Sequence, residues 1–378
     1  MELMNDATTL ERRLFDKAGE NKVPLYGVLE LLPLCNMNCE MCYVRMSSKE
    51  MQVKGRLRTF EEWVPLLRQM KESGTLFILL TGGEPLLYKD FKPLYLELQK
   101  MGMIVTVNTN GTLIDDEWAD FFAEHRPRRI NITLYGGSEE TYEKLCHYKA
   151  GFERTVSGVK RLLDRGIDVK LNGSLAKGNM KDWEKIQKIG ENLGIPVRMD
   201  TYMYPVTRER SCPYNEQSRM SPEEAGKLRV QILRREMEHE KGKEFFAQAV
   251  EYNLCQALCV PEGEEVPGEM KCKAGKSSFV INWQGNMIPC VVLNNPSVPV
   301  FDAGFEAAWK EIVEGTQKLF TSPRCSKCRF RQFCNTCVAS AVAETGKYDE
   351  VPEYLCRYTE ESIKNFLDVR QQLIEEGM

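Results

Sequence analysis

The sequence predicts an α/β fold: a parallel sheet, open or curled into a partial barrel, followed by a cysteine-rich C-terminal domain. Two observations carry this. Six short apolar runs alternate with helix-period segments between residue 28 and about residue 203, the pattern of β–α units in series. The fourteen cysteines are unevenly spread: three at 35–42, then Cys146 and Cys212, and nine between 255 and 356.

The elements follow in order. Residues 1–27 form an N-terminal extension carrying Glu2, Asp6 and Glu11 and no apolar run, so the segment is neither a signal nor a transit peptide. Residues 28–205 hold the expected strands: VLELLPL (28–34), LFILLT (76–81), MIVTVNT (103–109), RINITLY (129–135), DVKLNGSL (168–175) and PVRMDTYM (196–203). Between them, TFEEWVPLLRQMKESG opens with Thr59 three residues before Glu62, a capping box, and DWEKIQKIGENLG stops at Gly194. Residues 206–265 read as a helical bridge, with SPEE at 221–224 capping a charged helix to about 240. Residues 266–356 turn to Gly, Pro, Cys and short strands, NWQGNM reading as a hairpin turn, and 357–378 as a C-terminal helix.

Composition excludes several classes. The 51 basic and 55 acidic residues are mixed, so nucleic acid is not expected as a partner. No apolar run is long enough to span a bilayer, and the expectation is a cytoplasmic chain. Many cysteines in such a compartment point to metal rather than disulfides. KAGKSS (273–278) is no phosphate loop, because the required upstream glycine is Met270. The three histidines are scattered and suggest no triad; no catalytic side chain is assigned.

The stretch PLCNMNCEMCYVRM places Cys35, Cys39 and Cys42 at spacings three and two, with Tyr43 directly after. A structural zinc site wants four ligands, and the neighbours Asn36, Asn38 and Glu40 are not those of a buried core. Three thiolates suit an iron–sulfur cubane with one open iron. This C-x3-C-x2-C-aromatic pattern resembles the radical S-adenosylmethionine (SAM) superfamily, as does TGGEP (81–85), one β–α unit later. The resemblance implies a partial (β/α)6 barrel in which Cys35, Cys39 and Cys42 hold a SAM-binding [4Fe–4S] cluster. It places Tyr43, Gly82, Gly83 and Glu84 around SAM, with Asn110 and Thr133 from VNTNGT and TLYG. Relatives carry a carboxylate-binding Arg where this chain has Cys146, leaving Lys149 or no replacement.

The later cysteines, Cys272, Cys290, Cys325, Cys328, Cys334, Cys337 and Cys356, resemble the SPASM domain of peptide-modifying radical SAM enzymes. The resemblance implies two auxiliary [4Fe–4S] clusters, three in all: one on Cys325, Cys328, Cys334 and Cys356, the other on Cys272, Cys290 and Cys337. Cys255 and Cys259, spaced i, i+4, could add an eighth thiolate or be buried small residues. The function implied is hydrogen abstraction from a ribosomally made peptide, installing a thioether or C–C cross-link or a related modification. An external one-electron reductant such as flavodoxin or ferredoxin is expected. Only 34 residues precede Cys35, too few for the peptide-recognition domain of some relatives, so a separate recognition protein or direct binding is expected. The alternatives are a formylglycine-generating sulfatase-maturing dehydrogenase, a peptide epimerase and a non-catalytic electron-transfer protein. In the dehydrogenases an Asp directly after the second SPASM cysteine serves as base, where this chain has Val291 after Cys290.

Overall fold

The computed structural model describes residues 9–204, 218–258, 266–334 and 336–377. Six strands run parallel in chain order: β1 Tyr26–Glu30, β2 Phe77–Thr81, β3 Ile104–Thr109, β4 Arg129–Thr133, β5 Val169–Ser174 and β6 Val197–Asp200. Leu29 pairs with Leu80, and Ile130 with Val169. All six expected strands form, with shorter bounds. The first breaks off at Glu30 where 34 was expected, because Pro33 offers no N–H to a ladder and the chain turns into the cysteine loop.

Helices cover one face of the sheet. The helix Phe60–Glu72 carries the expected capping box, in which Thr59 N donates to Glu62 at 2.9 Å. It buries Trp63, Leu66, Leu67 and Met70. The helix Trp183–Leu193 ends on left-handed Gly194, and Ser221 caps Pro222–Lys241. Ile78 and Leu80 on β2 are fully buried, each worth about 1.5–3 kcal/mol relative to exposure.

One feature of the sheet lay outside the sequence reading. After the short strand β7 (Gly268–Glu269), β8 (Ser278–Ile281) joins the free side of β1 in parallel, Tyr26 opposite Ser278 and Leu29 opposite Ile281. Strand β9 (Asn286–Ile288) returns antiparallel through the NWQGNM turn, and β10 (Val298–Pro299) pairs with it. The result is one nine-stranded sheet, β10-β9-β8-β1-β2-β3-β4-β5-β6. It is a partial barrel with open edges, and it crosses the boundary expected near residue 266. A separate two-stranded ribbon pairs β11 (Phe320–Thr321) with β7.

The helices Pro222–Lys241, Lys243–Leu258 and Glu353–Glu375 pack together. Val230, Phe246, Val250, Ile363 and Phe366 form their shared core. Among the described residues no helix is long and apolar enough to cross a membrane.

Candidate functional site

A cavity of about 720 Å³ opens at the C-terminal ends of the parallel strands, where open α/β sheets place ligands. Its near wall is the loop after β1, carrying Cys35, Cys39, Cys42 and Tyr43. Gly82 and Gly83 follow β2, Asn110 follows β3, and Thr133 ends β4. Its far wall comes from the C-terminal part of the chain, including Val291, Phe333 and Tyr358.

The cysteine loop is tied down on both sides. Asn38 N donates to the Cys146 carbonyl at 2.9 Å, and Glu40 N to the Leu145 carbonyl at 3.0 Å. Met37 N reaches Cys35 Sγ at 3.4 Å, and Arg45 N reaches Cys42 Sγ at 3.3 Å. Asn110 spans the cavity floor: its Nδ2 lies 2.9 Å from Asn36 Oδ1 and 3.7 Å from Cys35 Sγ. Its Oδ1 accepts from Thr112 N at 3.0 Å.

The two glycines serve the approach of one loop to another. A Cβ on Gly83 would sit 2.3 Å from the Leu34 carbonyl oxygen, and one on Gly82 2.5 Å from that of Leu32. Gly82 also has φ +150°, which favours glycine. With no side chain there, Gly83 N donates to Leu32 O at 2.8 Å and Glu84 N to Leu34 O at 2.9 Å.

Glu84 does not line the cavity. It is fully buried beneath it and accepts from Thr109 Oγ1 and Asn110 N, both at 2.8 Å, and from Leu86 N at 3.1 Å. In this structure its carboxylate is a strut that sets the end of β3. Burial raises its carboxyl to about 7, against the three hydrogen bonds that favour the anion.

The thiols fall into three groups. Burial, followed by the nearby Glu84 charge, pushes Cys35 far up, and Cys42 and Cys39 add to the rise. Burial raises Cys356 to about 12, with Cys334, Cys325 and Cys328 acting on it electrostatically. Burial likewise raises Cys337 to about 11, and the nearby Cys290 and Cys272 add to the rise. Cys272, Cys290 and Cys337 also pack around Met270, Leu293 and Val338. Among the described residues no three His, Cys, Asp or Glu side chains converge on a point where one metal ion would sit.

Other expected residues lie elsewhere. Lys149 is exposed and paired with Glu143 at 3.5 Å, away from the cavity. Cys146 is fully buried beside the cysteine loop. Cys255 is exposed on its helix, and Cys259 lies outside the described residues. Sequence reasoning missed Arg198 on β6 and Arg229 on the helix Pro222–Lys241, both on the cavity wall. The rule placing ligands at strand ends could have found Arg198; nothing local marked Arg229.

Comparison with known proteins bears on this arrangement. Residues 29–189 match the radical SAM superfamily. Those residues form a radical SAM domain. As a radical SAM enzyme it uses SAM and a [4Fe–4S] cluster. It is 25% identical over 343 residues to the AdoMet-dependent heme synthase of Methanosarcina barkeri, covering 87% of this chain and 95% of the relative. Its fold is similar to that of Streptococcus suis SuiB bound to its precursor peptide SuiA, with a TM-score of 0.67 and 16% identity over 92% of this chain and 80% of that one. It also resembles anSMEcpe with bound AdoMet and Cp18Cys peptide, at TM-score 0.62 and 15% identity over 93% and 99% of the two chains.

Proposed function

We propose that this radical SAM enzyme acts on a ribosomally made peptide, installing a thioether or C–C cross-link or a related modification. The observation that carries the reading is the cavity itself, whose wall runs from Cys35, Cys39 and Cys42 to Val291, next to Cys290. A substrate held there lies between two thiol groups. Cys35, Cys39 and Cys42 would hold the SAM-binding cluster. The other two groups, Cys325, Cys328, Cys334 and Cys356 and then Cys272, Cys290 and Cys337, would hold auxiliary clusters. When bound, SAM and its cluster supply a 5′-deoxyadenosyl radical able to take hydrogen from an unactivated C–H bond. A substrate left one electron short of a stable product needs a nearby acceptor, and a second cluster behind Val291 suits that need. Val291 offers no base where sulfatase-maturing enzymes have one, which supports bond formation over alcohol oxidation.

The chain's own groups prepare the site. Asn110 braces the cysteine loop, Gly82 and Gly83 let two loops close on each other, and the strut of Glu84 holds Asn110 in place. Tyr202 and Tyr204, edge to face at 5.0 Å, wall the cavity between the sheet and the C-terminal thiols and help to exclude water.

A second reading is a tetrapyrrole substrate. It is favoured by the near full-length similarity to a heme synthase and by the two arginines in the cavity. The deciding test is incubation of the reconstituted enzyme with SAM, dithionite and short peptides encoded beside its gene. Deoxyadenosine with a peptide two hydrogens lighter supports the first reading. Deoxyadenosine only with an iron porphyrin, or a peptide inverted at Cα with one solvent-derived hydrogen, overturns it.

A further inference from the structure

We infer that the substrate of this cavity carries a carboxylate, held between Arg198 and Arg229. The inference deepens the proposed function by naming the substrate's charged group, and it rests on that reading only for where the substrate lies.

Among the described residues lining the cavity, the charged side chains other than cysteine are Arg198, Asp200 and Arg229. Arg198 stands on β6, and its Nη1 is buried with no hydrogen-bond partner. A guanidinium that lines a cavity with no protein carboxylate paired to it is available to an acceptor on a ligand. Arg229 reaches the same cavity from the bridge helix. Its guanidinium lies 4.6 Å from the Phe333 ring centroid and 5.7 Å from that of Tyr358. The rings fix its plane without using its N–H groups. Neither arginine makes an ion pair with Asp200 or with any other carboxylate among the described residues. Asp200 itself is exposed at the rim.

Two forked donors without a protein acceptor match a planar carboxylate. The methionyl carboxylate of SAM is a competing source of that group. Geometry argues against it: Arg229, Phe333 and Tyr358 belong to the C-terminal wall, opposite the cysteine loop and the two glycines. The acid is therefore the substrate's, either an Asp or Glu side chain of a peptide or a propionate of a tetrapyrrole.

The test uses the reconstituted full-length enzyme with SAM bound and reads binding, not turnover. One probe pair is iron coproporphyrin III and its tetramethyl ester, followed by the Soret band. The other is a labelled peptide with one central Glu and its Gln counterpart, followed by fluorescence anisotropy. The acid of at least one pair is expected to bind about 10–100-fold tighter than its neutral partner, the range for hydrogen bonds to a charged group. Arg198→Gln and Arg229→Gln should each erode that preference, and Arg→Lys at either position should keep part of it. SAM affinity, measured by equilibrium dialysis, should not change. Circular dichroism confirms folding of each variant. The inference is overturned if neither pair shows a preference for the acid, if the Gln variants keep it, or if Arg198→Gln weakens SAM binding instead. A preference confined to the porphyrin pair keeps the inference and removes the peptide reading; one confined to the peptide pair keeps both.

Discussion

Gly83 and Glu84 are adjacent in the chain and do opposite work. Gly83 is defined by what it lacks: a Cβ would lie 2.9 Å from the Pro33 oxygen as well as against that of Leu34. Both obstacles are backbone, so neither can rotate away. Gly83→Ala should push the cysteine loop off the β2 turn, costing about 1–3 kcal/mol. Iron bound at the first cluster should fall, and chemical denaturation with iron analysis would show both effects. An unchanged midpoint with full iron would mean that the two loops are not held together here. Glu84 is defined by what it holds, since three donors end on its carboxylate. The motif around it was legible in the sequence, but its duty was not. Spacing shows that Glu84 follows two glycines; only the fold shows it turning down toward β3 rather than up into the cavity. Arg198 escaped notice for a related reason, because a charge in a short strand looks like ordinary strand decoration.

At the scale of elements, the periodic signals held. All six parallel strands, the capped helix after Thr59 and the turn at Gly285 follow from local patterning, which needs no partner to be recognised. The Thr59–Glu62 cap makes a pH-dependent prediction. Its first cause is the Arg56 side chain, whose guanidinium lies 2.6 Å from Glu62 and helps to lower the carboxyl to about 2. A depressed carboxyl stabilises the fold above the ordinary value of 4.5, and this contribution disappears as the pH falls toward 2. Glu62→Ala should therefore lower stability at neutral pH by about 0.5–2 kcal/mol, the usual worth of a cap. Its partner Arg56 is largely exposed, so solvent screens the pair and the lower half of the range is expected. The gap between the variant and the parent should narrow as the pH drops below 4, as read by urea titration across pH. A gap that stays constant would show that the charge plays no part. The pairing of β8 with β1 was not legible, because the partners lie some 250 residues apart and no local pattern records which strand a sheet will accept next.

The whole molecule brings together thiols from distant parts of the chain. Cys356 joins a group otherwise contained within Cys325–Cys334, and Cys272 and Cys290 meet Cys337 across the C-terminal domain. If each group holds a cubane, as the family resemblance implies, a metal analysis will show it. Anaerobic reconstitution should load about twelve irons per chain, four for each cubane, with little zinc. Cys35→Ala, Cys39→Ala and Cys42→Ala combined should remove about a third of the iron and all deoxyadenosine formation. Stoichiometric zinc beside about four irons would instead make the C-terminal cysteines structural.

The ladder between β8 and β1 has a further consequence. Strand β1, Tyr26–Glu30, is buried from Gly27 onward, and its outer row of peptide groups is covered by residues 278–281. If the C-terminal domain detached, whether by truncation, by proteolysis or by failure to acquire its iron, that row would be exposed as a sticky template for a second chain. A fragment ending at residue 265 should therefore sediment as oligomers instead of persisting as a small working barrel. Lys at Val28 or Leu29 of the fragment should restore some solubility without restoring the fold. A monodisperse fragment that still binds SAM would show that β1 tolerates an open flank. Otherwise iron starvation would do more than silence this enzyme: it would turn a half-finished chain into a seed for aggregation.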